Sequence, residues 1–370
     1  MHNNFIVPIN EPYIGDLEKK LVNECMDTGW ISSMGKFVDE FEKKFATYCG
    51  SNYGVSTTNG TSAIHLALKT LGIKAGDEVL VPALTFAGSV YPIIQCGATP
   101  VFIDSEMETY NLSYEDLLLK VTPKTKAIIV VHLHGHPVDM EPITKLAIEK
   151  GIWVIEDAAE AHGALFKNNK VGSIGHIGCF SFFANKILTT GEGGMLISND
   201  KEIIQRAKQL KDFAHGEKKF IHILPEAYNY RMTNVQAAIG LGQLDRIEKT
   251  IAKKIENASL YNKLLSDIPH MILPKCLPWA RHVYWVYAVQ LRERSLCSRD
   301  ELLSKLLTMG IEVRPFFFPQ NQQPAFSCFG KNDCKNAEYL GKTGLFLPSG
   351  QALTGSQMEY VSESLHKILT

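Results

Sequence analysis

The sequence predicts an α/β fold: a mainly parallel sheet between helices, followed by a smaller α+β C-terminal domain. Three observations carry this. Over residues 52–199, short β-branched runs alternate with longer amphipathic segments; several of the apolar runs lack polar alternation; and the rhythm changes beyond residue 234. A strand covered by helices on both faces has no solvated side to mark with polar residues, so unbroken runs such as 127–131 and 152–155 favour a parallel sheet. At 370 residues the chain exceeds one ordinary compact domain, and two are expected, 1–245 and 246–370.

Taken in order, VSTTNGTSAIHLAL (residues 55–68) reads as a strand, a small-polar turn and a helix from about Ser62. VLVPA and TPVFID are strands separated by the amphipathic TFAGSVYPIIQCG, and YEDLLLK is helical. AIIVVHL, the helical DMEPITKLAIEKG and the strand IWVIEDA complete a βαβ rhythm, with Pro and Gly falling between segments. CFSFFANKILTTGEGGMLIS gives an aromatic strand, a turn and another apolar strand. Residues 234–265 read as one long helix, with Ile239, Leu241, Leu244, Ile247 and Ile251 on its apolar face, leading out of the first domain. Beyond it VYWVYAVQL and GIEVRPFF read as strands, and SRDELLSKLLTMG and GSQMEYVSESLHKIL as helices.

Composition narrows the function. Lys+Arg of 38 against Asp+Glu of 39 leaves a net charge of -1, so no global field draws the chain to nucleic acid or an anionic membrane. The eight cysteines are scattered without a CxxC pair, which reads as reduced thiols in a cytoplasmic protein. No basic-then-apolar leader opens the sequence, and the longest apolar run, near 127–133, is far short of a bilayer span.

In an open parallel sheet, sites gather at the carboxyl ends of the strands, so polar residues directly after apolar runs are the candidates. Gly60 and Thr61 sit at a helix start where free amides seat a phosphate, although an ordinary N-cap by Thr61 or Ser62 accounts for the same pattern. Asp157, at the end of IWVIED with Glu160 and His162 just after, suits a cationic ring nitrogen or a metal, or else a helix cap. Lys186 lies between Phe180, Phe182, Phe183 and TTGEGG; poor hydration there would depress its pKa and prepare the amine to attack a carbonyl. GEGG does not match the dinucleotide-binding GxGxxG. A competing reading takes His132, His134 and His136 of HLHGH as strand-borne ligands of a zinc hydrolase, with Asp139 or Asp157 completing the set.

NGTSAIHLAL, the aromatic after VPALT, EDAAEAHGA, SFFANKILTTGEGGM and NYRMTNVQAAIG, in that order, resemble the nucleotide-sugar aminotransferases of the DegT/DnrJ/EryC1/StrS family. GWISSMGKFVDEFEKKFA, HVYWVYAV and GIEVRPFF extend the similarity over nearly the whole chain. The resemblance implies aminotransferase fold type I, with a seven-stranded type of sheet, and pyridoxal 5'-phosphate cycling through pyridoxamine phosphate, with no metal. It implies amination of a nucleotide-linked keto-deoxysugar, GDP-4-keto-6-deoxymannose foremost, with UDP- or dTDP-linked keto-sugars aminated at C3 or C4 as alternatives; glutamate would be the donor and 2-oxoglutarate its product. By the same resemblance Lys186 would carry the coenzyme and shuttle the proton, Asp157 would face the pyridine nitrogen, Phe86 would stack on the ring, and Glu160 would approach its phenolic oxygen. Gly60, Thr61 and Ser181 would hold the phosphate, and Asn229 would reach the phosphate of a neighbouring subunit in a homodimer. Arg231, Arg314, Ser33 and His134 would meet the substrate. The related sugar 3-dehydratases carry histidine at the lysine position, so Lys186 favours transamination. Two departures stand near the expected sugar site: HLHGH where relatives often read HLYGQ, and Asn321 where a histidine often follows RPxFxP.

Overall fold

The computed structural model describes residues 5–218, 220–330 and 333–370. Its central sheet has seven strands: β1 (Tyr53–Thr57), β2 (Glu78–Pro82), β3 (Thr99–Ile103), β4 (Thr125–Val131), β5 (Trp153–Asp157), β6 (Ile177–Ser181) and β7 (Gly194–Ser198). They stand in the order β1-β7-β6-β5-β4-β2-β3. β7 runs against both neighbours, and the other adjacent pairs are parallel. Every residue of β7 and all but one of β4 are buried, which is why these runs lack alternation. Val131, Asp157 and Ser181, last residues of β4, β5 and β6, therefore come out at one edge of the sheet.

A second core forms around helix Ile247–Leu264 and a four-stranded antiparallel sheet of β8 (Met271–Ile272), β9 (Tyr287–Leu291), β10 (Arg314–Pro315) and β11 (Gly344–Leu347), ordered β8-β9-β11-β10. Helices Arg299–Thr308 and Gly355–Leu369 pack on it. The N-terminal segment crosses to this core: Val7 is buried in it and bridges Ile311, while the Ile9 amide donates to Glu312 Oε2. Among the described residues no helix is long and apolar enough to cross a membrane.

Four elements differ from the sequence reading. Of GIEVRPFF, only Arg314–Pro315 is strand, paired with Phe346 and Leu345. The helix expected over 234–265 is two, Asn234–Asp245 and Ile247–Leu264, broken at Arg246 with φ -112 and ψ 9. The Arg246 guanidinium turns to the buried Glu18 carboxylate at 2.6 Å. The first helix can then pack on Asp16–Thr28 and Lys36–Cys49, while the second reaches the second core through Ala258 and Tyr261. Only the latter half of VYWVYAVQL is strand; Tyr284 before it has φ 46, and that irregular stretch delivers Trp285 to the first core. TFAGSVYPIIQCG splits into the turn Ala87–Ser89 and the short helix Tyr91–Gln95, because Pro92 is tolerated only in a first turn.

Candidate active site

A cavity of about 410 Å³ opens at the carboxyl ends of the parallel strands, with Trp285 and Phe317 closing it from beyond residue 246. Lys186 enters from the turn after β6, where its amide donates to the Phe183 carbonyl. Its side chain is 12% exposed, with Nζ 3.8 Å from Glu160 Oε1 and 3.9 Å from the centre of the Trp285 ring. The indole Nε1 donates at 2.8 Å to the carbonyl of Asn185, the residue before Lys186. Burial draws the Lys186 amine below the ordinary lysine range, and Glu160 and Asp157 hold it partly back. A greater share of free, nucleophilic amine follows at neutral pH.

Asp157 ends β5. Its Oδ2 accepts from Ser89 Oγ at 2.7 Å and its Oδ1 from the Ala159 amide at 3.1 Å, so the carboxylate is held rigidly at the cavity wall. Burial raises its pKa, against the hydrogen bonds from Ser89 and Ala159 and the charge of Lys186. Glu160, three residues on, accepts at 2.8 Å from the His134 amide through Oε2. Burial raises its pKa to about 7 against the pull of Lys186.

The opposite side is built by helix Gly60–Thr70. Asn59 caps it by accepting from the Ser62 amide, which leaves the first amides, at Gly60 and Thr61, beside the cavity without an intrahelical acceptor. A Cβ on Gly60 would lie 2.8 Å from the Ser181 Cβ, so only glycine lets this helix start abut the end of β6. Phe86 is 62% exposed and lines the cavity at its mouth, its ring centre 6.0 Å from that of Phe317.

Lys186, Asp157, Glu160, Phe86, Gly60, Thr61 and Ser181 thus share one cavity. The other sequence candidates lie elsewhere. Exposed Asn229 accepts from Arg231 Nε at 2.9 Å, and the half-buried Arg231 also pairs with the half-buried Asp212. Arg314 is exposed and pairs with Glu312. Ser33 sits half-buried in the loop between helices Asp16–Thr28 and Lys36–Cys49, a loop pinned by Asn234, which donates to the Trp30 carbonyl and through its own amide to that of Ser32. His134 has its ring buried against Phe316 and Phe346, and it touches the site through its amide.

The zinc-hydrolase reading is overturned by the course of the chain through HLHGH. Residues 133–135 form a turn with His134 at φ 57, so the three imidazoles diverge. His132 pairs with Glu156 at 2.9 Å, His136 accepts from the Leu277 amide, and the His134 ring lies among aromatics. Among the described residues no three His, Cys, Asp or Glu side chains are grouped to hold a metal.

Sequence reasoning missed Ser89 and Trp285. Ser89 looks like an interior residue of an amphipathic segment, and its partner Asp157 is 68 residues away. Trp285 belongs to a segment read as strand, and an irregular backbone aims it at Lys186.

The DegT/DnrJ/EryC1/StrS aminotransferase family matches residues 12–366. This chain belongs to that family. It is an aminotransferase, and its coenzyme is pyridoxal phosphate. It is similar to the GDP-perosamine synthase of Caulobacter vibrioides, 42% identical over 364 residues and 98% of each chain. A second GDP-perosamine synthase, from Escherichia coli O157:H7, is 43% identical over 363 residues, again 98% of each chain. Among solved structures, the E. coli GDP-4-keto-6-deoxy-D-mannose-3-dehydratase with bound hydrated PLP superposes with a TM-score of 0.92 at 28% identity, covering 98% of this chain and 99% of that one.

The cavity fits this coenzyme. Unclaimed helix-start amides beside a serine suit its phosphate, a held carboxylate suits a protonated ring nitrogen, and the buried lysine suits its aldehyde.

Proposed function

We propose that this enzyme transfers the amino group of L-glutamate to the ketone of GDP-4-keto-6-deoxymannose, giving GDP-perosamine and 2-oxoglutarate. The observation that carries the reading is the convergence of Lys186, Asp157 and Glu160 on one cavity in a chain 42% and 43% identical, end to end, to two GDP-perosamine synthases. Retention of Lys186 argues against the 3-dehydratase chemistry of the structural relative.

Gly60, Thr61 and Ser181 would hold the coenzyme phosphate, Phe86 its ring face, Asp157 its ring nitrogen and Glu160 its phenolic oxygen. When bound, pyridoxal phosphate supplies an electron sink that acidifies the C–H bond beside the amine. Lys186 Nζ takes the proton from the donor's α-carbon and later returns one to the sugar carbon that receives nitrogen. Asp157, fixed by Ser89 and Ala159, keeps a negative charge against the ring nitrogen. Glu160 orients the amine of Lys186 from 3.8 Å, and His134 contributes through the amide that fixes Glu160. One cavity serves both substrates in turn, which predicts ping-pong kinetics.

The charge of the cavity supports a homodimer. Among the described residues its lining offers three acidic side chains, Asp157, Glu160 and Glu192, against one basic side chain, Lys186, whereas coenzyme and nucleotide bring several negative charges. Asn229 and Arg231 of a second copy would supply the missing donors, and exposed Trp30, Met34, Ile221 and Ile223 would be covered at the interface. Arg314 and Ser33 would meet the nucleotide sugar outside the cavity. On this reading residues 1–245 bring most coenzyme contacts and 246–370 close the pocket, in a cytoplasmic enzyme supplying perosamine to O-antigen lipopolysaccharide.

The test is incubation of the purified enzyme with glutamate and a panel of GDP-, UDP- and dTDP-linked keto-sugars, with mass spectrometry of the products. Amination of GDP-4-keto-6-deoxymannose at C4 is expected; preference for another nucleotide, or loss of the C3 hydroxyl without amination, contradicts the reading.

A further inference from the structure

Lys254 is a second buried lysine, 3% exposed, on helix Ile247–Leu264. Its ammonium has no carboxylate partner among the described residues; burial alone moves its pKa, to about 7. Nζ instead donates to two backbone carbonyls, Ser349 at 2.7 Å and Trp285 at 3.1 Å. An amine without a counter-ion is costly to bury, and an apolar side chain of similar volume is generally the more stable choice. Packing therefore does not explain its presence.

The Trp285 carbonyl is the informative partner. The same residue lays its indole face 3.9 Å from Lys186 Nζ and donates Nε1 to the Asn185 carbonyl, which also accepts from Asn10 Nδ2 at 2.7 Å. Trp285 is thus fastened at its backbone by Lys254 and at its ring by the residue before Lys186. Its own strand does not fix it, since β9 begins only at Tyr287. Lys186 and Lys254 also line one narrow cleft of about 10 Å³, scarcely room for a single water.

We propose that Lys254 is a positioning residue for the reacting amine: its hydrogen bond to the Trp285 carbonyl holds the indole against Lys186 and keeps water from that side. This rests on the reading of Lys186 as the reacting amine, and it adds a residue that touches neither coenzyme nor substrate. Loosening the indole admits water beside Lys186 and stabilises its ammonium, so the amine becomes less reactive at a given pH.

The test is trace acetylation of the full-length, coenzyme-freed enzyme across roughly pH 6 to 10, with the Lys186 peptide quantified by mass spectrometry. This readout needs no turnover, so its failure is separable from failure of the proposed function. In Lys254→Met, labelling of Lys186 at a fixed, mildly alkaline pH should fall about fivefold as its titration moves toward that of an ordinary lysine. Lys254→Arg, which keeps donors for both carbonyls, should recover it to within about twofold. In the loaded enzyme Lys254→Met should lower kcat about tenfold with little change in the KM for glutamate. Lys254→Gln is the second variant, expected to lie between. Wild-type labelling of Lys186 in either folded variant overturns the proposal. Failure of both to fold while Lys254→Arg folds also overturns it, leaving Lys254 a role in the fold alone.

Discussion

Lys186 and Lys254 are buried amines in the same molecule, and desolvation draws both below the ordinary lysine range. They differ in what surrounds the nitrogen. Lys254 spends its hydrogens on two carbonyls and faces almost no free volume, whereas Lys186 meets only a loosely spaced carboxylate, an aromatic face and a cavity of about 410 Å³. Burial therefore prepares an amine without giving it a reactant; on the proposed reading, the cavity beside Lys186 makes the difference. The same contrast separates Glu160 from Glu156. Glu156 accepts from His132 and from the Gly172, Ile174 and Gly175 amides, while Glu160 takes one amide and leaves Oε1 facing Lys186.

The largest expected effect breaks the comparison on its reactive side. Lys186→Ala should lower turnover by about 10³-fold or more while the protein folds and still takes up coenzyme, measured by steady-state rates and the visible spectrum. A loss no larger than that of Lys254→Met would mean the two amines do not differ as described. Next is Asp157→Asn, which keeps the hydrogen-bonding shape but removes the charge. The rate should drop about 10²-fold with circular dichroism unchanged, and near-native turnover would remove Asp157 from the mechanism.

How far these contrasts are legible in the sequence depends on whether their causes are local. Lys186, Asp157, Gly60 and Ser181 stand at strand ends or a helix start, and runs of apolar residues mark such places within a few positions. The partners that tune them are remote: Ser89 lies 68 residues from Asp157, and Asn185 lies 100 from Trp285. The break at Arg246 escapes notice for the same reason, since its Glu18 partner is 228 residues away and the local pattern reads as unbroken helix. HLHGH misleads in the opposite way. Its spacing suggests convergent ligands only if the backbone stays extended, and His134 at φ 57 does not.

The smallest effect sharpens the carboxylate half of the contrast. Glu160 titrates at about 7 when folded against an ordinary 4.5. A carboxyl raised by folding contributes stability that is fully present below the unfolded value and is lost as pH rises through the folded one. Relative to Glu160→Gln, the wild-type coenzyme-free enzyme should therefore lose a few degrees of Tm between pH 4.5 and 7. Parallel melting curves for the two proteins across that window would show that Glu160 is not strained by burial.

The central claim is that the amine at position 186, and no other, carries the coenzyme. Borohydride reduction of the native enzyme, followed by digestion and mass spectrometry, tests it most directly. The account predicts the coenzyme's added mass on the peptide containing Lys186; its absence there, or its appearance on the peptide containing Lys254, contradicts the account.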